Sequence, residues 1–353
     1  MAKHLNPWLD LCRAAAIIMV LLSHGRGFLI PVIPSAKHLK FGGFLGVELF
    51  FVLSGFLIGR IIFDKFEKTK GAFEWVPSFW FRRWMRTYPS YFIFLILNLS
   101  IANSVRQEVI PNILEYSTFT QSLITPHPSF FGEAWSLAIE EIFYLLFPVV
   151  ISISFYFCKN KKTALLLAIS AIFALSFTLR VNAAIHTQMT FNEIRSTALY
   201  RLDSLMIGVI FSWLFLSRNI KALSMLGTFM VPVSTFIASK PDSFMDSSVF
   251  LKIFLFDIAN IGSACLVIAF YHIRIPEKIK IIASNMARWS YSAYLINLPI
   301  LYFINHFIPK QTSFLGCISV WILFILSVIT LSKFTYQLFE LKILNLRERI
   351  KGA

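Results

Sequence analysis

The stretch LDLCRAAAIIMVLLSHG, Leu9–Gly25, decides the fold class of this sequence. It is mostly apolar and nearly reaches the length of about 20 residues that a helix needs to cross a bilayer. It nevertheless carries Asp10, Arg13 and His24. Because ionisable side chains are costly in hydrocarbon, their presence in a span indicates a buried partner or a function.

The composition of the whole chain favours a membrane protein. The 353 residues are 57% hydrophobic and only 14% charged, and the mean hydropathy is +0.70. A soluble domain of this composition would expose large apolar patches. We therefore predict an all-α polytopic protein that forms a single membrane domain over residues 1–353. The net charge of +15 is typical of basic loops on the cytoplasmic side, so we expect membrane lipids and no nucleic acid as partners.

Ten apolar runs predict about ten transmembrane helices. They cover residues 9–29, 43–63, 87–105, 135–157, 163–181, 197–217, 222–239, 248–271, 290–308 and 314–338. With both termini inside the cell, 22 of the 33 lysines and arginines fall in inner segments and nine in outer ones. Since positive residues accumulate on the inner side, this bias predicts two cytoplasmic termini.

The first span has a polar face. Arg13 and His24 are eleven residues apart, which is three helical turns plus about 20°, so both side chains share a face about 16 Å apart along the axis. Asp10 precedes Arg13 by three residues and can pair with it. The orientation places Arg13 toward the cytoplasm and His24 toward the outer side. A purely structural Asp–Arg pair and a histidine at a span end are the alternative interpretation.

Further ionisable residues begin other spans from the predicted outer side. They are Glu48 in the second span, Glu133, Glu140 and Glu141 in the fourth, and Arg201 and Asp203 in the sixth. Their similar depth predicts one shared polar cavity that opens to the outer face and contains His24. The alternative is a set of unrelated structural ion pairs.

A cluster of arginines lies at the predicted cytoplasmic end of the third span. In FWFRRWMRTYPS, Arg82, Arg83 and Arg86 alternate with Trp80 and Trp84. Anchoring of the span by positive charge explains any one of them. Three arginines beside aromatic rings also suit bidentate binding of phosphate groups.

Taken together, these motifs resemble acyltransferase family 3, a family of integral membrane O-acyltransferases. Arg13 and His24 match its first-span Arg–His signature, and GVELFFVLSGFLI resembles its second-span motif, with Glu48 at the acidic position. RRWMRTYP matches the arginine motif, and WSLAIEEIFYLLFP, RLDSLMIGV and YSAYLINLP resemble the motifs of the fourth, sixth and ninth spans. The ninth-span motif commonly ends in a histidine, whereas this chain has Asn297.

The resemblance implies transfer of an acyl group, usually acetyl from acetyl-CoA, to a hydroxyl of a carbohydrate or lipid-linked glycan at the outer face of a bacterial inner membrane. The expected catalytic residues are His24, Arg13, Glu48, Glu140 and Glu141. The expected residues for acetyl-CoA are Arg82, Arg83 and Arg86, and those for the acceptor are Trp135, Ser136, Arg201 and Asp203. No metal is expected.

Within this chemistry His24 is the expected base, because an unperturbed imidazole titrates near neutral pH. A carboxylate such as Glu48 would orient the imidazole. Arg13, Arg201 or a backbone amide would stabilise the oxyanion. Direct transfer and prior acylation of His24 both remain open.

Another class of protein also places ionisable residues in spans. A proton-coupled transporter of a small anionic or sugar substrate would do so, but no paired repeat halves of the kind common in transporters are visible in the sequence.

We also expect the first apolar run to remain as a membrane anchor, and no C-terminal hydrolase-like domain of the kind that some family members carry.

Overall fold

The computed structural model describes residues 6–217 and 220–350, and its regular elements are all helices. In chain order the α-helices are α1 Pro7–Leu29, α2 Phe41–Lys68, α3 Val76–Ile101, α4 Ile113–Ser117, α5 Ala134–Cys158, α6 Lys161–His186, α7 Phe191–Ser196, α8 Leu202–Ser217, α9 Lys221–Gly227, α10 Met230–Ala238, α11 Asp242–Asp246, α12 Val249–Ala269, α13 Glu277–Phe307, α14 Phe314–Thr335 and α15 Leu341–Arg349. Short 3-10 turns cover Pro34–Lys40 and Ala198–Tyr200, and π turns cover Ala102–Arg106 and Tyr336–Glu340.

Nine helical segments of the described chain are long and apolar enough to cross a membrane, which confirms a multi-pass α-helical protein. The sequence predicts about ten spans. Residues 290–307 of the ninth predicted run lie in the 31-residue helix α13, which is less apolar and is not among the nine. Ser290, Ser292 and Asn297 in that segment are buried. These polar side chains face other helices rather than lipid, and α13 packs against α1 and α14.

The orientation of the chain in the membrane stays a prediction. Lys3, Arg218 and Lys351 contribute to the positive bias of the inner segments, and they lie outside the described residues.

The helix α2 lies at the centre of the bundle and packs against α1, α8 and α12. Glycines allow its close approach to α8. A Cβ atom added at Gly55 would lie 2.0 Å from the carbonyl oxygen of Leu205, and one at Gly208 would lie 2.4 Å from that of Val52. Small residues at helix contacts are how membrane helices approach closely. This packing fixes the depth at which the polar residues of α1, α2 and α8 lie.

Candidate active site

Two cavities lie between the helices, toward opposite ends of α1. The larger one, which we call the arginine cavity, measures about 950 Å³ and is lined by Asp10 and Arg13 of α1. The smaller one, the histidine cavity, measures about 270 Å³ and is lined by Ser23, His24 and Arg26 of α1. Arg13 and His24 are therefore in different cavities, separated by a helical rise of about 16 Å.

The arginine cavity has an excess of positive charge. The arginines that line it are Arg13, Arg82, Arg83, Arg86, Arg288, Arg347 and Arg349, and its acidic residues are Asp10, Glu140, Glu340 and Glu348. Phe50, Phe51 and Leu137 form an apolar part of its wall. Guanidinium groups bind phosphates, and apolar walls bind the remaining surface of a ligand. The cavity therefore suits an elongated ligand that carries several phosphates.

Two arginines of the predicted phosphate motif differ in their freedom to bind a ligand. Arg82 forms an ion pair with Glu348 of α15, with 3.2 Å between Nη2 and Oε1. Arg86 is exposed, lines the cavity and forms none of the ion pairs found among the described residues. Of the two, Arg86 thus presents the more available guanidinium to a ligand in the cavity.

The third arginine of the motif, Arg83, is held by the glutamates of α5. Its Nη2 lies 3.1 Å from Oε2 of Glu140, and its Nε lies 4.0 Å from Oε1 of Glu141. Glu140 also accepts hydrogen bonds from Ser54 Oγ at 3.1 Å and from the Tyr144 hydroxyl at 3.0 Å. This network orients Arg83 and leaves less of its guanidinium for a phosphate.

The expected role of Glu140 and Glu141 beside His24 is corrected by this arrangement. Glu140 lines the arginine cavity, and neither glutamate lines the histidine cavity. Glu140 follows Glu133 by seven residues, which corresponds to about 10 Å along the helix. Only Glu133, at the start of α5, reaches the cavity that contains His24.

Glu48 and Arg201 form a buried ion pair with each other. Oε2 of Glu48 lies 2.6 Å from Nη2 of Arg201, and neither side chain is exposed. The guanidinium of Arg201 also lies 3.8 Å over the ring of Phe256. Neither residue lines the arginine cavity or the histidine cavity. The structure thus does not place Glu48 in the cavity of His24, nor Arg201 in either cavity, and their expected roles in orienting the imidazole, binding the acceptor or stabilising the oxyanion stay untested predictions.

Asp203 belongs to a second buried ion cluster. Arg180 of α6 lies 2.5 Å from Oδ2 of Asp203 through Nη1 and 2.6 Å from Oδ2 of Asp257 through Nη2. The cluster joins α6, α8 and α12. Asp203 is fully buried and lines neither cavity, so the structure does not place it where the acceptor is expected.

The histidine cavity is formed by the ends of several helices. Lys40 at the start of α2 forms an ion pair with Asp242 of α11 at 2.9 Å, and both residues line the cavity. Glu133 and Trp135 line it from the start of α5. Trp135 and Ser136 of the fourth-span motif are both expected to bind the acceptor. Trp135 lines the histidine cavity, whereas Ser136 lines the arginine cavity.

Arg195 of α7 also lines the histidine cavity. Its Nη2 donates a hydrogen bond to the Gly43 carbonyl oxygen at 2.5 Å, and its guanidinium lies 4.7 Å over the ring of Trp135. Burial lowers the pKa of Arg195 to about 10, so the group is still charged at neutral pH. A charged guanidinium therefore lies in the same cavity as the imidazole.

The imidazole of His24 is oriented by Asn297 of α13. The Asn297 amide nitrogen donates hydrogen bonds to the carbonyl oxygens of Ala293 at 3.2 Å and Tyr294 at 2.6 Å. These bonds fix the direction of the amide, and its Oδ1 contacts Nδ1 of His24. Because an amide oxygen only accepts hydrogen bonds, Nδ1 carries the proton. The lone pair of the neutral ring is then on Nε2.

Val47 and Tyr294 line both cavities. The hydroxyl of Tyr294 is hydrogen-bonded to Oγ of Ser136 at 2.6 Å, and its ring packs edge-on against Phe50 with 6.3 Å between centroids. These side chains form the partition between the arginine cavity and the histidine cavity.

Sequence reasoning missed part of both cavities. Arg26, Arg195, Arg288 and Arg347 line the cavities, but no motif in the sequence marks them as cavity residues. Asn297 was recognised only as a departure from the family motif, and its hydrogen bonds to the backbone explain how an asparagine serves there.

Relatives of the chain carry the name O-acetyltransferase, and three of them illustrate the similarity. Peptidoglycan O-acetyltransferase OatA of Listeria monocytogenes is 30% identical over 184 residues, which is 46% of this chain and 27% of the relative. O-acetyltransferase OatA of Staphylococcus aureus strain NCTC 8325 is 25% identical over 365 residues, 95% of this chain and 56% of the relative. A putative O-acetyltransferase of Staphylococcus aureus strain COL is 29% identical over 229 residues, which is 59% of this chain and 35% of the relative.

The chain thus spans between about a quarter and a little over half of the length of these curated relatives. No solved structure matches it. A family model described as an acyltransferase domain matches residues 6–334, from the start of α1 almost to the end of α14. This range contains His24, Asn297 and the arginine motif. The chain therefore belongs to acyltransferase family 3.

Proposed function

We propose that this protein is a membrane O-acyltransferase that moves an acetyl group from cytoplasmic acetyl-CoA to a hydroxyl of a carbohydrate at the outer face of the cell inner membrane. The observation that carries the proposal is the pair of adjoining cavities. One is large and rich in arginine, the other contains an oriented histidine, and Val47 and Tyr294 line both.

The arginine cavity fits the donor in size and charge. A volume of about 950 Å³ lies at the upper end of the range for small-molecule sites, which is about 300–1,000 Å³. Arg86 is available for the phosphates of CoA, and Arg288, Arg347 and Arg349 line the same cavity. The pantetheine arm would then extend along the apolar wall toward Tyr294. With the termini in the cytoplasm, this cavity faces the compartment that contains CoA.

His24 is proposed as the catalytic base. Its Nε2 takes the proton of the acceptor hydroxyl while the hydroxyl oxygen forms a bond to the thioester carbonyl carbon. When the carbon–sulfur bond breaks, His24 returns the proton to the departing thiolate of CoA. In the alternative route Nε2 attacks the thioester carbonyl carbon, the carbon–sulfur bond breaks and the CoA thiolate leaves. The acceptor hydroxyl then attacks the acyl-histidine, its proton is lost, and the neutral imidazole is released. Both routes use the lone pair that the contact with Asn297 leaves on Nε2.

The oxyanion needs a positive or hydrogen-bonding partner near His24. Arg13 lines the other cavity, and Arg201 is paired with Glu48. Arg26 and Arg195 line the histidine cavity, so we assign the stabilisation of the oxyanion to these two cations.

The acceptor is proposed to be a cell-surface glycan or a lipid-linked saccharide. One relative is named for peptidoglycan, and Trp135 offers an aromatic ring in the histidine cavity. The relatives named above are all O-acetyltransferases, so the transporter interpretation has no support from them.

The proposal is tested with purified protein in lipid nanodiscs. Acetyl-CoA is added together with peptidoglycan fragments or, in parallel, other bacterial surface oligosaccharides. We expect release of the CoA thiol and an increase in acceptor mass by one acetyl unit. A folded protein that gives neither with any acceptor would contradict the proposal, as a transporter would behave in this way. Hydroxylamine trapping and mass spectrometry of His24 distinguish the direct route from the acyl-histidine route.

A further inference from the structure

The arginine cavity and the histidine cavity share part of their lining. Among the lining residues that the structure describes, Val47 and Tyr294 are common to both cavities, and the rest belong to one or the other. If the donor binds in the arginine cavity and the acceptor in the histidine cavity, as the proposed function requires, the acyl group crosses the partition at these two side chains.

The valine side of the partition cannot move away. Val47 is only 4% exposed. The preceding residue, Gly46, packs directly on α1, and a Cβ atom added there would lie 2.6 Å from the carbonyl oxygen of Ala16. Because α2 already touches the α1 backbone at this level, the position of the Val47 side chain is set by backbone packing.

The tyrosine side is also held in place. The hydroxyl of Tyr294 is hydrogen-bonded to Ser136 Oγ at 2.6 Å, and its ring contacts Phe50. A buried ring with a bonded hydroxyl has little rotamer freedom. The two side chains common to both cavities are therefore both held by packing or by a hydrogen bond.

Each cavity has apolar side chains among its lining residues. Phe51 and Leu137 line the arginine cavity, while Val20 and Leu298 line the histidine cavity. A methyl group can pack against these apolar side chains without leaving a polar atom unpaired. Each additional methylene of an acyl chain must instead displace packed side chains, and packed interiors resist such overfilling.

We propose that Val47 and Tyr294 form a filter for acyl-group size, which passes acetyl and excludes longer acyl chains. This inference rests on the proposed acyl-CoA donor and adds the residues that select among donors. Pockets that discriminate by one methylene reach about 10- to 200-fold in rate, so butyryl transfer by the wild-type protein is at least ten-fold slower than acetyl transfer.

The test compares acetyl-, propionyl- and butyryl-CoA as donors for wild type, Val47→Ala and Val47→Ile. Val47→Ala opens the filter, and the ratio of butyryl to acetyl transfer rises about ten-fold or more. Val47→Ile narrows the filter, so acetyl transfer falls while binding of CoA itself stays within about two-fold of wild type. The matched control is Val52→Ala on the same helix, since Val52 is buried but lines neither cavity; its donor ratio stays that of wild type.

Two results would overturn the filter while leaving the proposed function intact. One is a wild type that transfers butyryl as fast as acetyl. The other is a donor ratio that is the same in wild type, Val47→Ala and Val47→Ile. A wild type that binds acetyl-CoA but releases no thiol with any donor would instead overturn the proposed function, and the filter with it.

Discussion

Nδ1 of His24 on α1 contacts Oδ1 of Asn297 on α13, although the two residues are 273 positions apart in the sequence. The amide of Asn297 is turned by its bonds to the α13 backbone, so only its oxygen faces the ring. A side chain that accepts a hydrogen bond from Nδ1 fixes both the tautomer and the ring plane, which is the role that a carboxylate has in hydrolytic triads. Asn297 is therefore a positioning residue for the proposed base.

Replacement of Asn297 tests this positioning role. We expect Asn297→Ala to reduce acetyl transfer at least about 10-fold, since partners that orient metal-bound imidazoles contribute about 10- to 100-fold and the carboxylate of a hydrolytic triad contributes more. Binding of acetyl-CoA should be unchanged because the donor lies in the other cavity. Asn297→His introduces the residue that is common in the family motif, and it should keep much of the wild-type rate that Asn297→Ala loses. If Asn297→Ala transferred acetyl as fast as wild type, the proposed role of Asn297 in orienting the imidazole of His24 would be contradicted.

Arg86 is predicted to bind a phosphate group of the donor. Loss of a charge-assisted hydrogen bond is worth about 1.5–3 kcal/mol, so Arg86→Ala should weaken CoA binding by roughly 10- to 100-fold in calorimetry. The matched control is Arg60→Ala, since Arg60 lines neither cavity and donates to the Tyr271 hydroxyl at 2.8 Å. If both variants bind CoA like wild type, the arginine motif only anchors the third span.

Glu48 is predicted to stabilise the fold rather than to take part in catalysis. Glu48→Ala leaves Arg201 buried without its carboxylate, and such a break costs about 3–5 kcal/mol. We expect a lower melting temperature in detergent and less protein in the membrane. The double variant Glu48→Leu with Arg201→Met should recover part of this stability, because it leaves no unpaired buried charge. Normal stability of Glu48→Ala with lost transfer would instead restore the catalytic interpretation.

The orientation of the chain is testable by cysteine labelling. In a variant whose four native cysteines are replaced by serine or alanine, Lys240→Cys should react with an impermeant reagent from outside intact cells. Lys280→Cys should react only after the cells are opened. The reverse pattern would put the arginine cavity on the side without CoA and would contradict the proposed donor.

The sequence predicted the helices well because long apolar runs leave few alternatives in a membrane. The predicted run 290–308 also lies almost entirely in a helix, α13, which is less apolar than its neighbours because it contains the buried polar residues Ser290, Ser292 and Asn297. The site was harder to predict. Sequence position gives the depth of a residue along a helix, but the direction of its side chain depends on how each helix is rotated in the bundle.

This limitation explains the particular errors in the predicted site. Glu48 begins the second span near the depth of His24, yet it faces Arg201 of α8. Arg195 lies on a short helix between two spans, where neither periodicity nor hydropathy carries information about a cavity. The separation of Arg13 from His24 followed from helix geometry alone, and the structure places each of them in a cavity of its own.

The central claim is that His24 supplies the base for acyl transfer, and His24→Gln tests it most directly. The variant keeps a polar side chain of similar length but has no titratable group for this step. We expect it to accumulate in the membrane and to bind acetyl-CoA like wild type, because the arginine cavity is untouched. Transfer to the acceptor should fall by about 10²- to 10⁴-fold, the usual contribution of a general base. A well-folded His24→Gln protein that transfers acetyl at more than about a tenth of the wild-type rate would contradict the account.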